Sequence, residues 1–557
     1  MQSTPLAKKN TNSWLVSSWA IALIVALPII SVFYLALFPE ENIWKHLYDT
    51  VLPVYITTTL QLLIGVGALS VIVGVGTAWL VTMCQFPGRR LFEWALLLPF
   101  AVPAYVIAYV YTDILEYSGP VQGFLRELFG WHTPRDYWFP EIRSLGGAIS
   151  MLTLVLYPYI YLMCRAAFLE QSSSLKDASR LLGCSPLQSF FRISLPIARP
   201  SIAVGLSLVS METLNDFGTV DFFAVKSLSA GIFDTWLNMG NLGGAAQIAS
   251  LMMIFVVFLI VGERMSRHKQ QQFHNHDRFK ALETYSLTGV KAALAFIACF
   301  IPLLAGFLIP VGLLLFYSLN YTKQFYTADF QSHALHSFTL AISASFACLV
   351  IAVLLGYAKR LNPHKRSLKL AINFSSLGYA LPGAVLALGV LVPLARFDNS
   401  VDAFMRSHFD FSTGLLLSGT IFAVIFAYCV RFLAVSTGAV SSSLDKVTPS
   451  MDMASRSLGM TPMGTLLRVH LPLIKGGLLT SLLVVFVDCM KELPATLILR
   501  PFNYDTLATF VYQYASDQRL EQCALAALLI VAVGIIPVIL LSRSITSSRS
   551  ITSEKPQ

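Results

Sequence analysis

Two short acidic segments stand inside an otherwise apolar chain. METLNDFGTVDFF (211–223) carries Glu212, Asn215, Asp216 and Asp221, and VDCMKELPATLILRPFNYDT (487–506) carries Asp488, Lys491 and Glu492. Isolated charges within membrane-spanning segments are expensive, so such residues are candidates for a polar pathway. Carboxylates there suit a cation, and Lys491 can also neutralise Asp488 or Glu492 and serve only to tie helices together. Glu212 and Asp216 are four apart, as are Asp488 and Glu492, a spacing that places each pair on one face of a continuous helix. Gly218 and Pro494, at matched positions, predict a break in that helix beside the acids. No catalytic triad, dinucleotide fingerprint or metal-ligand cluster accompanies these groups, so no catalytic residue and no metal site is expected.

The elements that position them are membrane helices. Of the 557 residues, 55% are hydrophobic and only 12% charged, far from soluble globular usage. A span needs about 20 helical residues, and twelve stretches qualify, near 15–38, 57–83, 93–112, 146–168, 201–224, 242–263, 287–318, 335–361, 371–393, 413–436, 476–500 and 521–543. Their all-round apolarity argues against alternating barrel strands. The expected fold is all-α and polytopic. The first span follows Lys8 and Lys9, and its apolar core from Trp19 to Phe38 exceeds the roughly 7–15 residues of a signal peptide. It is expected to remain as an anchor.

With the N-terminus inside, most Lys and Arg fall in the N-terminal tail, the even-to-odd loops and the C-terminal tail, the positive-inside pattern. Both termini are therefore expected in the cytoplasm. The net charge of +9 follows from this orientation, and nucleic acid is not an expected partner. Membrane lipid is. The eight cysteines form no CxxC pair and read as free thiols.

The chain is a duplication. TTLQLLIGVGALSVIVGVGTA (58–78) aligns with FTLAISASFACLVIAVLLGYA (338–358), LLPFAVPA (97–104) with LGYALPGA (377–384), and VSMETLNDFGT (209–219) with VFVDCMKELPA (485–495). Two halves of six spans are expected, 1–263 and 287–545, joined by a polar linker at 264–286 and followed by a tail at 546–557. An even number of spans between repeats gives both halves the same orientation. His268, His274 and His276 in the linker read as solvated residues.

The most informative repeat is polar. DASRLLGCSPLQSFFRISLP (177–196) and MASRSLGMTPMGTLLRVHLP (453–472) match at an offset of 276, within loops 170–200 and 444–475. Ser174 and Asp177 suit a helix start, Gly183 a left-handed stop, and Ser185-Pro186 a second start. The second copy repeats this with Ser450, Gly459 and Thr461-Pro462. Each half is expected to present a helix, a glycine turn and a helix on the cytoplasmic face.

This pattern resembles the cytoplasmic loop signature of ABC importer permeases, in which an acid is followed by two small residues, a glycine and a terminal Leu-Pro. The resemblance implies two tandem permease halves of the type I importer kind in a bacterial inner membrane. It also implies coupling of the loops to a separate ATPase subunit. Carried over, Asp177, Ala178, Ser179, Gly183, Leu195 and Pro196 form one coupling element, and Ala454, Ser455, Gly459, Leu471 and Pro472 the other. The second copy departs by having Met453 where the acid is expected, with Asp452 one residue earlier. No G-x-x-x-x-G-K-[ST] loop occurs in the chain, so ATP and Mg are expected at the partners and no cofactor on this chain. Two loops in one chain imply two ATPase copies and, with them, a periplasmic substrate-binding protein.

ETLNDFGTVDFF and MKELPATLILRPFN are similar to the corresponding segments of ferric iron importer permeases, which implies iron(III) as substrate. Permeases for thiamine, phosphonate, sulfate and polyamines share the architecture. An ion-coupled secondary transporter using Glu212, Asp216, Asp488 and Glu492 as relays is the alternative from another class; it leaves the paired loops unexplained.

Overall fold

The computed structural model describes residues 5–169, 171, 181, 183, 185–270 and 284–553. The described residues are mostly helical. Two two-residue strands, Cys84–Gln85 and Tyr285–Ser286, pair in parallel. Ten described helices are long and apolar enough to cross a membrane, and up to twelve spans result if each of two sharply bent pairs counts as one. The chain is a multi-pass membrane protein.

The bends fall where the sequence forbids a straight helix. The expected span at 93–112 is a pair, Arg89–Ala101 and Ala104–Phe129, bent by 90°. Pro103 intervenes with φ −61° and ψ 142°, and the residue preceding a proline is itself driven out of the helical region. The repeat behaves alike, with a break at Leu381-Pro382 before the Gly383–Phe409 helix. The expected spans at 201–224 and 476–500 are likewise interrupted, after Asn215 and Met490.

The chain packs as two compact units. One contains residues 1–43, 235–250 and 325–510, the other residues 44–234, 251–324 and 511–557. The repeat and the packing thus divide the chain differently, each unit taking its opening helix from the other sequence half. In the first unit the Pro5–Leu37 helix lies against Arg366–Ser375 and Gly383–Phe409, while Ala328–Leu361, Ile421–Leu444 and Lys475–Met490 pack on one another. In the second unit Ile309–Asn320 lies against Leu520–Ser553, and Leu52–Met83 packs on Leu145–Leu169 and Leu195–Asn215.

The units also repeat a small polar tie. Leu228 N donates to Thr59 Oγ1 at 3.0 Å in one, and Leu507 N to Ser337 Oγ at 2.7 Å in the other. Where the environment is apolar, such bonds satisfy backbone donors at helix starts that water cannot reach. The seven described cysteines are free thiols.

Candidate functional site: a repeated polar loop and two capped breaks

The 444–475 loop is built from local signals. Its first helix runs Pro449–Ser457, with Thr448 as N-cap and Pro449 in the first turn. The start therefore lies two residues before Ser450, because proline fits the first helical position better than serine does. Gly459 adopts φ +74°. Met460 N donates to Ser455 O at 3.1 Å and Gly459 N to Arg456 O at 3.0 Å, the two bonds of a Schellman stop. A β-carbon at Gly459 meets no neighbour, so its left-handed backbone, and no crowding, is what favours glycine there.

Thr461 then caps the next turn, accepting from Gly464 N at 3.2 Å. In the first copy Ser185 and Gln188 form a reciprocal capping box, Gln188 N to Ser185 Oγ at 3.3 Å and Ser185 N to Gln188 Oε1 at 2.9 Å. Gly183 has φ +75°. Asp177, Ala178 and Ser179, with Ser174, lie outside the described residues. Both copies continue through a π-helical turn, Phe190–Ser194 and Leu466–His470, immediately before their Leu-Pro pairs. Leu195 and Pro196 are partly buried in a helix that continues to Asn215, whereas Leu471 is partly buried and Pro472 exposed in a three-residue turn.

Asp452 explains the departure in the second copy. It turns toward the body of its unit, receiving Arg360 Nη2 at 2.7 Å and Nε at 3.0 Å, and it lies 2.7 Å from His470 Nε2. Arg360 also donates to Leu444 O at 2.6 Å and Val447 O at 2.8 Å. One guanidinium therefore fixes the end of the preceding helix and the start of the loop helix together. Ser455 is buried, its hydroxyl 2.6 Å from Thr465 Oγ1, clamping the two loop helices. Met453, Ala454, Arg456 and Leu458 are left exposed, Leu458 at 82%. The loop thus presents an apolar tip with one cation on a braced support.

The acidic segments fold into matched breaks. Asp216 ends the Leu195–Asn215 helix in extended conformation, and its carboxylate accepts from Thr219 N at 3.1 Å, Val220 N at 3.2 Å and Thr219 Oγ1 at 3.0 Å. Glu492, its counterpart at offset 276, accepts from Ala495 N and Thr496 N at 3.1 Å each and from Thr496 Oγ1 at 2.8 Å. Each acid therefore caps the short helix that follows, Gly218–Phe222 or Pro494–Leu499. The expected shared helix face with Glu212 or Asp488 does not form, since the helices end before the second acid. Lys491 pairs with Asp488 at 3.0 Å. Glu212, Asn215, Asp221, Asp488 and Lys491 are all half-buried.

Glu492 has a partner that the sequence reading passed over. Arg431, within the Ile421–Leu444 helix, places Nη1 3.0 Å from Glu492 Oε1, and both side chains are almost wholly buried. The signal was available, as a lone arginine inside an apolar span invites the same question as an acid there. Gly383 makes room for this pair; a β-carbon would sit 2.9 Å from both Arg431 Nη1 and Glu492 Oε1. Val155 occupies the position of Arg431 in the first copy. Arg165, near the end of its span, instead meets Glu93 at 3.3 Å.

Outside the spans, Asp136 accepts from Thr133 N and His132 N at 2.8 Å each. These bonds, with one from the Thr133 hydroxyl, hold its carboxyl below the ordinary range. Among the described residues no group of three or more His, Cys, Asp or Glu could hold a metal ion.

A family model described as "Binding-protein-dependent transport system inner membrane component" matches residues 70–268 and 348–549. The chain is 26% identical over 493 residues to an Fe(3+)-transport system permease protein of Haemophilus influenzae, covering 87% of this chain and 88% of that one. It is 27% identical over 207 residues to a molybdenum transport system permease protein of Escherichia coli, covering 36% of this chain and 86% of that one. A sulfate transport system permease protein of Escherichia coli is 27% identical over 226 residues, covering 37% of this chain and 73% of that one. Matched twice in tandem, the chain belongs to the family of binding-protein-dependent transport system inner membrane components.

Proposed function

We propose that this chain is the transmembrane permease subunit of an ATP-driven importer that moves iron(III) from a periplasmic binding protein into the cytoplasm by alternating access. The observation that carries the transport class is the braced, exposed loop at 449–459, whose sequence pattern recurs in the other repeat. Its apolar tip suits a cleft on an ATPase subunit, and its ties to Arg360 and His470 would pass a push on the tip into the transmembrane helices. Two copies of the ATPase, binding Mg and ATP, would engage loops 170–200 and 444–475, with both termini on their side. Docking of the binding protein would use segments 113–145 and 394–412.

Iron(III) is favoured by similarity across both repeats to a permease named for Fe(3+), whereas similarity to the molybdenum and sulfate permeases covers about a third of the chain. Those two oxyanions are the second reading. The pathway acids remain part of this proposal in altered form. Asp216 and Glu492 act mainly by capping the breaks, and Glu212, Asp221 and the Lys491-paired Asp488 face a passing cation.

Energy coupling tests the class. In proteoliposomes holding the assembled complex at constant ATP, a protonophore should leave uptake unchanged. Collapse of uptake would favour ion-coupled secondary transport instead.

A further inference from the structure

Capping does not account for the pairing of Tyr512 with Asp221. Tyr512, on the Leu507–Ser516 helix, donates its phenolic hydroxyl to Asp221 Oδ2 at 2.6 Å. Both residues are half-buried and belong to one compact unit. Beside them stands Tyr109, 2% exposed, and among the described residues nothing hydrogen-bonds its hydroxyl. The titratable groups around that hydroxyl are Tyr512, Tyr105, Cys523 and Asp221. Leaving a buried hydroxyl unsatisfied is costly, and native folds keep few such groups.

We infer that Asp221, Tyr512 and Tyr109 form an oxygen-donor site that receives iron(III) during its passage. This rests on the iron(III) reading above and names residues for it. Phenolate and carboxylate are hard, anionic oxygen donors, the type a small trivalent cation prefers over sulfur or neutral groups. Fully ionised, the three supply three negative charges, matching the charge of the ion. Aromatic rings flank the donors, Phe222 at 4.5 Å from the Tyr109 ring and Phe217 at 6.0 Å from that of Tyr512. They limit water and so strengthen electrostatic attraction. Asp234 lies within electrostatic range of Asp221 and adds to the negative potential. An oxyanion would be repelled by the same set.

On binding, the Tyr512 O–H bond breaks, its proton passes to water, and the phenolate oxygen forms a bond to iron as one water or chelate oxygen leaves the metal. Tyr109 does the same. No electron moves and iron stays trivalent. The second repeat has Leu497 where Asp221 stands, so this carboxylate is not duplicated there.

Iron(III)–phenolate bonds absorb visible light by charge transfer, a signature that carboxylates alone lack. The full chain in nanodiscs, titrated with iron(III) nitrilotriacetate, should develop such a band. Tyr512→Phe and Tyr109→Phe should each weaken it, and the double variant should abolish it; each single change should lower apparent affinity roughly ten- to a hundredfold. Asp329→Asn, an exposed acid in the other unit, should leave the band intact and controls for general loss of acid. Circular dichroism and monodispersity establish that the variants fold. A wild-type chain without the band, or a double variant that retains it, overturns the site. If the wild-type complex still imports iron(III) in that event, the iron reading survives; if it imports none, that reading fails first.

Discussion

Arg431 and Glu492 face each other at 3.0 Å with only 8% and 2% of their side chains exposed, and Gly383 is the residue whose missing β-carbon lets them meet. Glu492 simultaneously caps the Pro494–Leu499 helix. One buried pair thus ties the Ile421–Leu444 helix to a break near the end of the Lys475–Met490 helix.

Removing one partner of such a pair strands the other. Arg431→Met should destabilise the protein by about 3–5 kcal/mol, visible as a large fall in detergent unfolding temperature. Glu492→Gln, which keeps an acceptor for the cap, should cost less. Equal stability of Arg431→Met and wild type would remove the structural role assigned to the pair.

Asp216 separates capping from lining. Asp216→Asn preserves an oxygen acceptor and should retain stability and most uptake, whereas Asp216→Ala should cost about 1 kcal/mol through loss of the cap. If the charge itself is needed on the pathway, the Asn variant will transport as poorly as the Ala variant while remaining folded.

At Gly459 the left-handed backbone is the whole requirement. Gly459→Val should strain the Schellman stop by about 1–2 kcal/mol and reduce co-purification of the ATPase subunit. Gly459→Asn, which tolerates that conformation, should lose less. Unchanged ATPase binding by the Val variant would dissociate the turn from coupling.

The brace at Asp452 predicts a different defect. Asp452→Ala removes the acceptor shared by Arg360 and His470 while leaving the exposed tip intact. ATPase binding should persist, and transport per ATP hydrolysed should fall. A parallel loss of both would show that Asp452 merely maintains the loop fold.

Much of this was legible in the sequence because it depends on local chemistry. Ser185-Pro186, Thr461-Pro462 and the two glycines specify caps and turns within a few residues, and the structure has them there. Apolar length revealed the spans but not their bends at Pro103 and Pro382, since hydropathy averages over a proline that backbone geometry cannot ignore. The acids at 216 and 492 were visible, but their roles were not. Gly218 and Pro494 announced the breaks, but reading each acid pair on one helix face overlooked that the carboxylate caps the helix that follows. Arg431 and Tyr512 are remote in sequence from Glu492 and Asp221, and only the packing brings each pair together.

Labelled uptake is the test of ATP-driven import of iron(III). Proteoliposomes would contain the chain with its co-purifying ATPase and a candidate iron-binding protein, with ATP supplied at the ATPase face. Labelled iron(III) should accumulate only with both ATP and the binding protein, and excess molybdate or sulfate should not reduce it. ATP-dependent accumulation of labelled sulfate or molybdate, with none of iron(III), would contradict it.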